Sequence, residues 1–269
     1  MGQIVGAFAT SHVLGAPDGV EEQSEVVFQG MRQIGARLRA ARPDVLVLIT
    51  SDHLNNFHVD VPAPFAVATD AALTPYGDMG LPTDPFPGLP DFAEGLAAFA
   101  AAQGLVIQPI AGARPDHGVM IPKGVVDPEG DIPTVIFYVN SVLHPCPSLD
   151  VCWKAGVLLK RFIEEMRPQG ERAALLAAGG LSHWLAVPGE GRVNEAWDRA
   201  FLQTLVEGRG ESLTALTPEA IEADAGNGGL EVAAWVAMAG AVRGMRGEVI
   251  YYEPIPAWAS GMGGLAMHV

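Results

Sequence analysis

Four short runs of apolar residues stand out along the chain, and each is continuous rather than alternating. This pattern is typical of strands in a parallel sheet whose two faces are both covered by helices. We predict these strands at residues 3–10, 44–50, 133–140 and 172–179. A further apolar run, residues 248–256, predicts one late strand.

The segments between these runs place apolar residues three and four positions apart, which is the spacing of one helix face. Several of them stop at a proline or a glycine, as helices commonly do. The predicted helices are residues 21–43, 90–104, 149–168, 194–208 and 230–244. Because strands and helices alternate, the sequence predicts one α/β domain over residues 1–269, with a central, largely parallel but mixed sheet flanked by helices.

Two segments do not fit this alternation. Residues 58–90 are rich in Pro, Gly and Asp. We expect them to form a long loop, and such loops usually carry function. Residues 259–269 are rich in glycine, and we expect a flexible tail or a lid over a site.

Composition narrows the class of protein. The 269 residues carry a formal net charge of -15, which repels phosphate backbones and argues against nucleic-acid binding. The 2 cysteines are too few for a thiolate zinc site. No apolar run is long enough to cross a bilayer, and the N-terminal segment lacks the basic region of a secretory signal. We therefore expect a cytoplasmic protein without membrane or nucleic-acid partners.

Histidines follow the ends of the predicted strands. His12 lies in TSH, His53 in TSDH and His183 in GGLSH, each directly after a strand. His117 lies in the loop segment RPDHG, and His144 follows the remaining strand at a greater distance. Ligands of open parallel sheets bind beyond the carboxyl ends of the strands. The active site is therefore predicted at that edge of the sheet.

Converging imidazoles indicate a divalent metal, and imidazole with carboxylate suits Fe(II), Mn(II) or Zn(II). Two glutamates are candidates for the carboxylate: Glu231 in NGGLEVAAW and Glu253 in YYEPIP. Either is also readily explained without a metal, as a residue of a first helical turn or of a strand end. Asp52 and Asp116, which each precede a histidine, either orient the ring that follows or serve as turn residues.

Taken together, the segments SDHLNNF, DHG, GGLSH and NGGLEVAAW resemble the class III (LigB-type) extradiol ring-cleavage dioxygenases. The resemblance spans nearly the whole chain. It implies that His12, His53 and Glu231 bind Fe(II), which decides against Glu253 as the carboxylate. It also implies an acid–base role for His183 and places His117 in the active site as a second catalytic histidine.

The activity implied by the resemblance is Fe(II)-dependent cleavage of a catechol ring beside its two hydroxyls, with insertion of both atoms of O2. Two histidines and one carboxylate on one face of Fe(II) leave positions for both catechol oxygens and O2. An imidazole titrates near neutral pH and suits the proton transfers. Asn55, Trp184 and Met120 are predicted to line the substrate pocket.

Three points stay open at this stage. The same fold also serves zinc-bound and non-catalytic relatives, such as Memo-like binding proteins and inactive accessory subunits. We expect a homo-oligomer, although some relatives need a small capping subunit. The substrate is expected to be a small catechol-type aromatic, with or without a carboxylate group, and a carboxylate would need an anchor. Arg192, Lys123 and Arg114 are candidates for that anchor, or are surface charges.

Overall fold

A central sheet of eight strands runs through the computed structural model, which describes residues 1–57 and 63–269. Two further strands, β4 and β5, pair with each other outside this sheet. In chain order the strands are β1 (Gln3–Thr10), β2 (Val45–Thr50), β3 (Phe65–Ala68), β4 (Ala72–Leu73), β5 (Phe86–Pro87), β6 (Gln108–Ile110), β7 (Thr134–Val139), β8 (Arg172–Ala178), β9 (Gly247–Ile255) and β10 (Ser260–Met267).

The strand order across the sheet is β6-β3-β7-β2-β8-β1-β10-β9. The central strands β7, β2, β8 and β1 are parallel to one another. Toward either edge the direction reverses, because β3 is antiparallel to β7 and β10 is antiparallel to β1. The predicted α/β fold with a largely parallel, mixed sheet is therefore confirmed.

Helices cover both faces of the sheet. They are α1 (Glu21–Ala40), α2 (Pro90–Ala102), α3 (His117–Val126), α4 (Leu149–Met166), α5 (Glu195–Val206), α6 (Pro218–Ala225) and α7 (Val232–Ala241). Alternate residues of β2 contribute to two separate apolar clusters: Leu48 packs on the side of α1 and α3, and Ile49 on the side of α2, α4 and α7. None of the helices within the described residues is both long and apolar enough for a bilayer crossing.

The helices α4 and α7 pack backbone against backbone. A Cβ atom on Gly156 would lie 1.8 Å from the carbonyl oxygen of Ala237, so only glycine allows this approach. All residues of α7 are buried, and the Trp235 indole N–H donates to the Gly179 carbonyl oxygen at 3.2 Å. This packing fixes α7, and Glu231 just before it, against the end of β8.

The prediction of a flexible tail at residues 259–269 was wrong. Residues Ser260–Met267 form β10, which is buried along its whole length between β1 and β9. Its glycines permit close packing: a Cβ atom on Gly264 would lie 2.2 Å from the Tyr251 ring. Glycine-rich sequence here reflects lack of space and not mobility.

Two other segments differ from the prediction. The expected loop over residues 58–90 contains β3, whose four residues are all buried, and the β4–β5 pair; residues 58–62 lie outside the described part. His117, expected in a loop, is the first residue of α3. The helix α6 and the strand β6 were not predicted, because each is short and its apolar pattern is weak.

Candidate metal centre

The ends of three central strands bring the predicted histidines together. One ring nitrogen from each of His12, His53 and His117 lies within 4.8 Å of the other two. The Glu231 carboxylate approaches His53 Nε2 at 3.1 Å and His12 Nε2 at 3.4 Å. His183 Nε2 lies 4.0 Å from the same carboxylate. All five residues predicted for the metal and catalytic roles therefore lie in one cluster.

The imidazole rings of His12, His53 and His117 contact one another. His53 and His117 stack, with centroids 4.1 Å apart and planes 29° apart. His12 meets both of them edge-on, at 5.2 Å from His53 and 5.7 Å from His117. Such a group of imidazoles beside a carboxylate provides the nitrogen and oxygen donors that suit a divalent transition metal.

His12 provides the test of whether a metal fits. Its side chain is fully buried, and neither ring nitrogen has a hydrogen-bond partner among the residues described. Burial lowers the pKa of His12, although the nearby Glu231 carboxylate acts in the opposite direction. A buried, unpartnered imidazole is costly unless a ligand satisfies it. The uncharged ring beside an anionic carboxylate therefore fits a metal ion.

Glu231 is held as an oriented carboxylate. It accepts hydrogen bonds from the Gly180 backbone N–H at 2.5 Å and from the Ser51 hydroxyl at 3.1 Å. Burial alone would raise the pKa of Glu231, but His12 and His53 outweigh burial and hold it well below its usual range. The side chain is thus anionic at neutral pH and positioned by groups from two strand ends.

An aspartate orients His53, but it is not the one that precedes it in sequence. His53 Nδ1 donates to Asp116 Oδ2 at 3.1 Å, and the His53 backbone N–H donates to the same oxygen at 2.9 Å. Burial lowers the pKa of His53, yet hydrogen bonds to Asp116 and Glu231 prevail and raise it to about 10. Asp52 instead accepts the backbone N–H groups of Asn55, Asn56 and Phe57 and so shapes the loop.

His117 also has a carboxylate partner, one that the sequence did not indicate. Its Nδ1 lies 2.6 Å from Asp78 Oδ2. Asp78 is in a short 3₁₀ turn within the segment that was expected to be a loop. Asp116 is not its partner; Asp116 caps α3 by accepting the Gly118 N–H. The two residues His117 and Asp78 lie 39 positions apart, and no motif links them.

His183 lies in a different environment. Its Nδ1 lies 2.8 Å from the Leu181 carbonyl oxygen, which can only accept, so the proton is on Nδ1. Nε2 then has a lone pair, and it has no hydrogen-bond partner in the described part of the chain. A Cβ atom on Gly228 would lie 2.1 Å from this nitrogen, so glycine at this position lets the backbone approach the ring closely.

The loop that carries His183 is held by a buried polar network around Asp198. The carboxylate accepts the backbone N–H and the hydroxyl of Ser182, at 2.8 and 2.9 Å, and the Tyr252 hydroxyl at 2.8 Å. Burial raises the pKa of Asp198 to about 6, and these hydrogen bonds offset part of that effect. From sequence, Asp198 resembled an ordinary charged residue in the first turn of a helix.

A cavity of about 320 Å³ opens beside the cluster, and His53 and Glu231 line its inner end. This volume lies toward the lower end of the range of roughly 300–1,000 Å³ for small-molecule sites. The apolar part of its wall consists of Leu54, Val142, Leu185 and Leu230.

The three residues predicted for the substrate pocket do not line this cavity. Asn55 donates to Asp116 at 2.9 Å, and Trp184 is buried beneath the Arg192 guanidinium. Met120 lines a separate cavity of about 560 Å³. A role in substrate binding stays a prediction for all three.

Comparison with known proteins shows the family of the chain. The family model described as the catalytic LigB subunit of aromatic ring-opening dioxygenase matches residues 6–263, and the chain belongs to this family. A 2,3-dihydroxyphenylpropionate/2,3-dihydroxicinnamic acid 1,2-dioxygenase of Escherichia coli O81 (strain ED1a) is 27% identical over 95% of both chains. The corresponding enzyme of Escherichia coli (strain K12) is 26% identical over the same share.

A similar fold is found among solved structures. The crystal structure of an uncharacterized Escherichia coli protein has a TM-score of 0.61 with 17% identity, and covers 98% of this chain and 100% of its own. At this identity the likeness concerns the fold alone.

Proposed function

We propose that the protein is a non-haem Fe(II)-dependent extradiol dioxygenase, which cleaves the ring of a catechol-type substrate beside its vicinal hydroxyls and inserts both atoms of O2. One observation carries the proposal. Buried His12, with no hydrogen-bond partner among the described residues, meets His53 and Glu231 beside a cavity, in a chain of the LigB family. The names of the relatives support the reaction class.

His12, His53 and Glu231 would hold the metal. Fe(II), when bound, supplies positions at which both catechol oxygens and O2 meet and exchanges electrons between them. The three mutually close imidazoles leave a second arrangement to be tested, in which His117 replaces Glu231 as the third ligand. Metal content separates the two arrangements: Glu231→Gln should lose stoichiometric iron, whereas His117→Ala should retain it.

His183 is the proposed acid–base group. Because its Nδ1 is bonded to a carbonyl, the Nε2 lone pair can accept a proton from a catechol hydroxyl. The protonated ring can later return that proton to an oxygen of the reacting molecule. General acid–base help of this kind contributes roughly 10²–10⁴-fold to rate.

His117 is proposed to orient the substrate. Asp78 holds its Nδ1, which directs the ring and leaves Nε2 for a hydrogen bond to a substrate oxygen. Its exposed fraction of 22% is consistent with contact to a molecule in the site.

The test is anaerobic loading of metal-free protein with Fe(II), followed by oxygen uptake and product absorbance with a panel of catechols. We expect one iron per chain, one O2 consumed per catechol and a yellow ring-opened product. A zinc-loaded sample serves as the control and should consume no oxygen. Iron-loaded protein that consumes no oxygen with any catechol would overturn the proposal in favour of a non-catalytic role.

The assembly is also a proposal. We propose a homo-oligomer that needs no capping subunit, with the small aromatic molecule as its ligand. Light scattering after size exclusion would give the mass of the particle. Activity of the purified chain alone would show that no second subunit is required.

A further inference from the structure

We propose that the substrate carries an uncharged substituent on its catechol ring, in contrast to the carboxylated catechol for which its relatives are named. The inference rests on the proposed function and concerns the cavity beside the metal centre. It is carried by three features of that cavity: the absence of lysine and arginine from its described lining, a glutamate in its wall and a hydroxyl without a hydrogen-bond partner among the described residues.

No lysine or arginine is present among the described residues that line the cavity. Residues 58–62, outside the described part, contain neither in their sequence. A carboxylate that leaves water for a largely apolar wall without a lysine or arginine partner loses solvation that the wall does not replace. An uncharged substituent avoids this cost.

The three cations considered as anchors are engaged elsewhere. Lys123 is buried, and its ammonium group pairs with Asp127 at 2.6 Å. The Arg192 guanidinium lies 4.6 Å over the Trp184 ring, and that of Arg114 lies 5.0 Å over a tyrosine ring. None of the three lines the cavity.

A carboxylate already stands in the cavity wall. Glu222 of α6 lines it, and Glu222 Oε1 pairs with His144 Nε2 at 3.1 Å. An anionic substrate would have to displace Glu222 from the ring of His144 and would be repelled by that carboxylate. The chain's net charge of -15 adds a field of the same sign.

A hydroxyl in the same wall suits an uncharged polar atom. Ser141 is buried, and its Oγ has no hydrogen-bond partner within residues 1–57 and 63–269. The loop around it is fixed, because Asn140 Oδ1 accepts the Leu143 N–H and Asn140 Nδ2 donates to the Leu143 carbonyl. The Ser141 hydroxyl can thus pair with an ester, amide or hydroxyl oxygen without bringing a charge.

The experiment compares 2,3-dihydroxyphenylpropionate with its methyl ester on the iron-loaded protein. We expect kcat/KM for the ester to exceed that for the acid by about tenfold or more, the effect of one unpaired, poorly solvated charge. Anaerobic calorimetry with both compounds gives the same comparison as dissociation constants, without turnover.

Two variants test the charge. Glu222→Gln should raise the ratio of kcat/KM for the acid to kcat/KM for the ester by about three- to fivefold, the scale of one partly exposed charge pair. Asp224→Asn is the matched control: it removes one charge from an exposed position on the same helix and should leave the ratio unchanged. Thermal melting and ester kinetics verify that both variants fold.

The outcomes are distinct. Equal or better use of the acid would overturn this inference and leave the dioxygenase proposal intact, as would a Glu222→Gln variant with an unchanged ratio. Absence of oxygen uptake with the acid, the ester and unsubstituted catechol would instead overturn the proposed function. A calorimetric preference for the ester together with faster turnover of the ester would support both.

Discussion

His53 and His183 follow two neighbouring strands of one sheet and lie near the same Glu231 carboxylate, but their surroundings differ. His53 lies between two carboxylates, and its pKa is raised to about 10. His183 is bonded to a backbone carbonyl instead, and its other nitrogen has no partner among the described residues. The two rings therefore differ in the partner of Nδ1, which is a carboxylate for His53 and a backbone carbonyl for His183. We call the surroundings of these two rings the two sides of the site.

This difference has chemical consequences. A carboxylate behind an imidazole raises its basicity and fixes its direction, which strengthens metal binding. A carbonyl orients the ring without adding charge and leaves its second nitrogen available to another partner. We therefore propose that the side with His53 and His12 holds the cation and that the side with His183 moves protons. Variants on each side should separate the two functions.

The largest effect is expected from His12→Ala. Removing this ring takes away one of the three proposed metal ligands, so iron content and turnover should both fall to background. Metal analysis after anaerobic loading, with oxygen uptake, measures both. His268→Ala removes an exposed histidine and should retain one iron per chain. Stoichiometric iron in His12→Ala would show that the ligand assignment is wrong.

His183→Ala should have the next largest effect, on turnover alone. We expect kcat to fall by about 10²–10⁴-fold, because proton transfer is lost, while iron content stays near one per chain. Metal analysis and steady-state kinetics on the same preparation test this. Loss of iron together with activity would place His183 on the metal-holding side and remove the distinction between the two regions.

The sequence was sufficient for the four central parallel strands and for three histidines of the cluster, because His12, His53 and His183 directly follow apolar runs whose ends must meet at one edge. It was not sufficient for their partners. Asp78 and Asp198 reach the site from a turn and from a helix whose local sequence carries no signal of this contact. Closeness in sequence was also a poor guide to the partner of His53. This histidine pairs with Asp116, 63 positions away, and not with the neighbouring Asp52.

The wrong prediction of a flexible tail where β10 lies has a related cause. Glycine-rich sequence is typical of mobile chain, but in β10 the glycines lie against Tyr251 and Leu181, where a larger side chain has no room. This close packing depends on residues that are distant in sequence, so the glycines alone do not reveal it. Local pattern therefore predicts which segments form strands more readily than it predicts why a small residue occupies a position.

Asp116→Asn should have an effect between those of His183→Ala and Asp198→Asn, and this effect should concern iron binding and not proton transfer. Losing the carboxylate behind His53 should weaken iron affinity by about 10–100-fold, with kcat of the fully loaded protein changed far less. Titration with Fe(II) in the presence of a competing chelator gives the affinity. Asp198→Asn, on the proton-transfer side, should leave that affinity unchanged, and an equal loss in both variants would contradict the separation.

Asp198→Asn is expected to have the smallest effect on catalysis. Its main effect should be on how the free energy of unfolding depends on pH. Burial raises the pKa of Asp198 from 3.8 to about 6, so the folded protein binds this proton more tightly than the unfolded chain does. Stability from this group is therefore greatest at low pH and is lost as pH rises between about 4 and 6. The loss amounts to about 3 kcal/mol at most, at 1.36 kcal/mol per pKa unit.

The asparagine variant lacks this titration. Urea unfolding of metal-free protein from pH 4 to 7.5 should show the wild type losing stability relative to the variant as pH increases, then a constant difference above pH 7. All other titrating groups are shared and cancel in that difference. A wild type that gains stability relative to the variant over this range would mean that Asp198 binds its hydrogen-bond donors more favourably than burial opposes its charge. The pKa of Asp198 would then lie below that of an unfolded aspartate, and ionisation of this carboxylate would stabilise the His183 loop.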